Sequence, residues 1–159
     1  MVTHRENYGL TLIEMLIVVA VIALLASFFL IAVTRIDNQT KEQGLREAFA
    51  LIEGALQLYY EDTGKFPPQP EQNPVNAVAH IEYLYVQLSS IPASRTILDK
   101  ITESLRKNKA GESDKAEIYD PWGTALDYRY DSNDTFPELL SAGKDRVFGT
   151  PDDLTSKLN

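Results

Sequence analysis

Between Leu10 and Val33 the chain reads LTLIEMLIVVAVIALLASFFLIAV, 24 residues in which Glu14 is the only charged side chain. A helix of ~20 such residues crosses a ~30 Å hydrocarbon core, so the run is long enough to span a bilayer. Its 16 Leu, Ile, Val and Phe residues contribute about −7 kcal/mol towards insertion at roughly −0.45 kcal/mol each, against about +3 kcal/mol for a central acidic residue. Insertion wins, and the acid is kept near one end. A carboxylate at membrane depth implies a role and a partner. The competing reading is a charge solvated by headgroups.

The chain has 159 residues, which leaves room for one small head outside the membrane. A net charge of −8 offers too little basic surface to neutralise phosphates, so no nucleic acid partner is expected. Cysteine is absent and the histidines are His4 and His80, which removes disulfides and thiolate zinc sites. Oxygen ligands abound, leaving calcium or magnesium as the metals to consider. No A-x-A-like cleavage site follows the apolar run, so the anchor is expected to stay. Orientation is poorly encoded: Arg5 precedes the run, while Arg35, Lys41 and Arg46 follow it. Taken alone, the positive-inside rule favours a cytoplasmic head.

From Leu10 a single helix is predicted to about Asp62, because no proline interrupts it and its apolar residues pass from all-round to one-sided. Leu45, Ala48, Phe49, Ile52, Ala55, Leu56 and Tyr59 recur at spacings of three and four. Gly64, Pro67 and Pro68 end the helix. At ~1.5 Å per residue it would be about 80 Å long, so its distal half must pack on something. Val75 to Ser90 and Ser94 to Lys109 read as two further helices separated by Pro92. Thr124 to Tyr130 and Phe136 to Ser141 read as strands, with turn chemistry at Tyr119 to Gly123 and Gly143 to Asp153, and a surface loop at Gly111 to Lys115. The expected fold is α+β: residues 10–33 as the membrane half of the long helix, 34–62 as its amphipathic half, and 63–159 as a head with a small antiparallel sheet.

Gly9-Leu10-Thr11-Leu12-Ile13-Glu14 followed by a long apolar run resembles the processing site and N-terminal helix of type IV pilins and of the pseudopilins of type II secretion. ALQLYYEDTGKFP from Ala55 to Pro67 and DPWG from Asp120 to Gly123 look like the helix end and turn of major pseudopilins. SAGKDRVFGTPDD from Ser141 to Asp153 is similar to their calcium loop. The resemblance implies that residues 1–9 are a leader cut after Gly9 by a prepilin peptidase, with Leu10 the new, methylated N-terminus. It makes Glu14 the assembly carboxylate, and it assigns calcium to Asp145, Asp152 and Asp153 with the Ala142 and Val147 carbonyls. Two departures stand out: Leu10 where the family usually has Phe, and Ile31 where many relatives have a proline that breaks the helix.

The chemistry suits these assignments. Cleavage frees the Leu10 amine, which can meet Glu14 of a staggered neighbour in a low-dielectric setting, where a misaligned copy would strand a charge. Ala20, Ala23, Ala26 and Ser27 allow close helix approach. Three carboxylates and turning carbonyls supply the hard oxygens that calcium accepts at irregular geometry; on spacing alone the same aspartates read as turn residues. His80 reads as a partly exposed helix residue and Trp122 as a core plug. Tyr59, Tyr60, Tyr83, Tyr85, Tyr128 and Tyr130 read as helix-to-sheet packing. No nucleophile–base constellation emerges, so no enzyme is expected. The resemblance implies a helical homopolymer in the periplasm, anchored in the inner membrane before assembly. Its partners would be the prepilin peptidase, an inner-membrane assembly platform and minor pseudopilins. A type IV pilus subunit and a monomeric membrane-anchored calcium-binding domain are the alternatives.

Overall fold

In the computed structural model residues 11–69, 71–108 and 115–157 are described, with backbone alone for 29–35. The expected cut between Gly9 and Leu10, and residues 111–114 of the expected loop, lie outside the described residues. Contacts divide the chain into two units, Met1–Thr40 and Lys41–Asn159.

The first unit is helical wherever it is described from Leu12 on, as the start of α1 (Leu12–Thr63). Every described side chain from Thr11 to Phe28 is exposed. Those side chains are apolar nearly all round the helix rather than on one face. Among the described residues no helix is long and apolar enough to cross a membrane, the described side chains of the run ending at Phe28.

The second unit is built on the one-sided part of α1. Leu45, Ala48, Phe49, Ile52, Ala55, Leu56 and Tyr59 are all buried, as their spacing predicts. Gly64 then adopts φ +72° and its amide donates to the Tyr60 carbonyl at 2.8 Å, the left-handed stop that glycine makes without a Cβ penalty. A short 3₁₀ turn, Pro74–Asn76, leads into α2 (Ala77–Ser89). There Ile81, Leu84 and Leu88 enter the core that α1 shares with the sheets. Helix α3 (Pro92–Leu98) follows, fastened to α1 by the buried Ser94 hydroxyl, which donates to the Ala55 carbonyl at 2.9 Å.

Helix α3 is shorter than the predicted Ser94 to Lys109. After Leu98 the amides of Lys100 and Ile101 bond three residues back, a tightened 3₁₀-type end, and the chain turns. Ile101 is buried all the same, although the helix predicted to run through it ends at Leu98. Arg106–Lys107 instead form β1, antiparallel to β2 (Glu117–Ile118). Strands β3 (Asp127–Arg129), β4 (Glu138–Ser141) and β5 (Leu154–Thr155) make a second antiparallel sheet in that order. The fold is therefore α+β, and Tyr128 opposite Leu139 puts two fully buried side chains over α1's core face. Trp122 is in the same core, as expected of it. Tyr59 and Tyr128 are buried too, whereas Tyr60 and Tyr83 face solvent.

Candidate functional site

At the start of α1, Glu14 is engaged within its own chain. Its Oε2 accepts from the Thr11 amide at 2.8 Å and from the Thr11 hydroxyl at 2.7 Å, while the Glu14 amide donates back to Thr11 Oγ1 at 3.3 Å. This reciprocal Thr-x-x-Glu arrangement satisfies donors that a helix start otherwise leaves orphaned. The carboxylate also sits at the positive end of the helix dipole. Glu14 thus has a local role in the isolated chain, one that sequence reasoning overlooked although the four residues spell it out.

The C-terminal acidic loop lies between β4 and β5. Gly143 has φ +67°, and a Cβ there would run into the backbone carbonyl of Asp152 and stand 2.8 Å from its Oδ2. Only glycine lets the two arms of the loop close. Asp152 holds them together: Oδ2 accepts from the Lys144 and Asp145 amides at 2.8 and 3.0 Å, and Oδ1 from the Thr150 hydroxyl at 2.6 Å. These bonds, the Thr150 hydroxyl foremost, lower its pKa from 3.8 to about 2. Asp145 Oδ1 accepts from the Val147 amide and Asp153 Oδ2 from the Gly149 amide. Val147 offers its carbonyl to Thr150 Oγ1 at 3.3 Å, and Ala142 is buried at the foot of the loop.

Each of the three aspartates thus accepts at least one hydrogen bond from within the loop. Asp153 Oδ1 is buried with no hydrogen-bond partner, a costly condition for a carboxylate oxygen. Among the described residues no group of three or more His, Cys, Asp or Glu side chains is arranged to hold a metal ion. The orphaned oxygen and the carboxylate and carbonyl oxygens of the loop are of the chemical kind that a hard cation takes.

The loop is braced from behind. Asp120, almost fully buried, accepts from the Trp122, Gly123 and Thr124 amides through Oδ1 at 2.7 to 3.0 Å. It also accepts from Ser141 Oγ through Oδ2 at 2.7 Å, and Ser141 Oγ in turn accepts from the Gly143 amide at 3.1 Å. In front, Lys144 Nζ lies 3.2 Å from Glu42 of α1.

His80 departs from the expectation of partial exposure. It is buried, with Nδ1 2.7 Å from Asp127 Oδ1 and Nε2 2.9 Å from Glu71 Oε2. Asp127 is itself fully buried and also accepts from Arg129 Nε at 2.8 Å. Ionised carboxylates only accept, so the protonated ring donates on both sides and a neutral ring satisfies one. Bonds from Asn76, from His80 and from the Asn73 amide lower the Glu71 pKa. The partners stand 9 and 47 positions away in sequence, which is why spacing did not reveal them.

Residues 4–30 match the prokaryotic N-terminal methylation motif. The match supports a type IV pilin-like protein and implies processing by prepilin peptidase and pilin-type polymerisation. No curated protein and no solved structure matches the chain.

Proposed function

We propose that this chain is a structural subunit of a type II secretion pseudopilus. A prepilin peptidase removes residues 1–9, the run from Leu10 to Val33 holds the subunit in the inner membrane with its head in the periplasm, and copies then stack through their N-terminal helices. The observation that supports this reading is the apolar helix of the first unit, exposed at every described side chain from Thr11 to Phe28 and lying within the methylation motif matched at residues 4–30. Such a surface suits lipid before assembly and neighbouring helices after it. In the stack, Glu14 leaves its bonds to Thr11 for the Leu10 amine of a neighbour, an exchange that sets register.

What supports the secretion reading over a type IV pilus subunit is the resemblance of the acidic loop to the calcium loop of major pseudopilins, which would give calcium Asp145, Asp152 and Asp153 with the Ala142 and Val147 carbonyls. The bound ion would supply charge that neutralises the loop and joins its two arms, a structural clamp in a head without disulfides. No enzymatic step is assigned.

The test is the intact mass of the membrane-extracted protein after co-expression with a prepilin peptidase. A methylated N-terminus at Leu10, abolished by Gly9→Leu, is expected. An uncut chain would leave the monomeric, permanently anchored domain as the reading.

A further inference from the structure

A helical homopolymer needs a heterologous interface, two different patches that meet across successive copies. Among the described residues of the second unit, the exposed large apolar side chains are Tyr60, Val75, Val78, Tyr83, Val86 and Val147. Four of them, Val75 to Val86, lie on or just before α2, and Val147 stands apart at the tip of the acidic loop. Beside the α2 residues is a groove of about 980 Å³ walled by Tyr83, Tyr130, Ala79, Glu71 and Asp131. That is room for a loop tip, not merely one side chain.

The tip has matching chemistry. Arg146 is exposed and next to Val147, and it is the one non-glycine residue among those described with a positive φ, 63°. A left-handed arginine costs ~1 kcal/mol or more, yet Arg146 enters no ion pair among the described residues, whereas its neighbour Lys144 is engaged by Glu42. The groove offers the complement: two tyrosine rings on which a guanidinium stacks, and the Asp131 carboxylate at its rim.

We infer that the Arg146–Val147 tip of one subunit seats in the Tyr83–Tyr130 groove of the next, so that the occupant of the groove is a second copy of this chain. The inference rests on the polymer proposed above and adds a contact between heads to the one between N-terminal helices. It also gives the acidic loop a part in assembly, because an ion that orders Asp145 and Asp152 fixes the tip between them.

The chain has no cysteine, which makes a clean test available. One full-length copy carries Val147→Cys and a second carries Tyr83→Cys; they are co-expressed with the assembly machinery, and filaments are sheared off and oxidised. A mixed disulfide dimer, enriched at least several-fold over either like-with-like dimer, is expected. Arg146→Glu should lower filament yield with no change in the subunit's melting temperature, and adding Asp131→Arg should restore it. Filaments that form normally with neither mixed dimer nor charge-swap rescue overturn this contact and leave the polymer reading intact. Absence of filaments from the unmodified chain overturns both.

Discussion

The Ser141 hydroxyl donates to Asp120 Oδ2 at 2.7 Å, joining the Asp120–Gly123 turn to the foot of the acidic loop. Both side chains are buried, and Ser141 also receives the Gly143 amide. The turn and the loop therefore share one polar support.

That support is expected to behave as a unit. Asp120→Ala removes the carboxylate that accepts from the buried Trp122 amide and Ser141 hydroxyl and from the half-buried Gly123 and Thr124 amides. Gly123 keeps its bond to the Asp120 carbonyl, so a loss on the order of 2 to 3 kcal/mol is expected. Ser141→Ala should cost about 1 kcal/mol. Chemical denaturation of the double variant should show clearly less than the sum, the sign of contact between the two; strict additivity would mean that they act separately.

Calcium should raise the melting temperature of the head, and chelation should lower it. Asp153→Ala is the informative variant, since Asp153 Oδ1 is the buried oxygen without a partner. Under chelation the variant should melt close to the parent, because the partnerless buried oxygen goes together with the bond from the Gly149 amide, yet gain nothing from added calcium. A parent indifferent to calcium would remove the clamp.

Acid should loosen the head in a defined window. Asp152 is held at about 2 by the Thr150 hydroxyl and the loop amides, below its ordinary 3.8, and Glu71 is lowered from 4.5 by Asn76, His80 and the Asn73 amide. A depressed carboxylate gives stability that is complete above its unfolded value and disappears as pH falls through its folded one. Melting temperature without calcium should therefore be level above about pH 5 and decline from about pH 4 towards pH 2. Asp152→Asn should flatten the lower part of that decline; an unaltered profile would contradict the role given to Asp152.

Glu14→Ala and Thr11→Val separate the two uses of the carboxylate. Each breaks part of the reciprocal set at the helix start, Glu14→Ala the two bonds to the carboxylate and Thr11→Val the two made by the Thr11 hydroxyl, but only the first removes the charge that registers a neighbour. Glu14→Ala should cut filament yield tenfold or more while membrane insertion is kept, and Thr11→Val should have a smaller effect. Equal losses would reduce Glu14 to a helix cap.

The long helix was legible because its periodicity is local: the seven apolar residues from Leu45 to Tyr59 mark one face, and all are buried. The stop at Gly64 was legible for the same reason. Strands β1, β2 and β5 were not, since two residues each carry no alternation and exist only through their partners. The same limit hid the surroundings of His80, whose carboxylates arrive from a connecting segment and from β3. In the acidic loop the residue types were visible beforehand, whereas the division of each carboxylate between amides and open oxygens depends on backbone turns that spacing does not specify. Asp120 was visible as a turn former, but not as the brace of a loop some twenty residues further on.

The most direct measurement is electron microscopy of sheared surface and periplasmic fractions from a host carrying compatible assembly machinery, with the leader-free subunit followed by immunoblot. Helical filaments composed of the Leu10-starting product are expected. A product correctly cut and inserted that stays monomeric would contradict the claim that this apolar helix and its carboxylate serve to bundle copies of the chain.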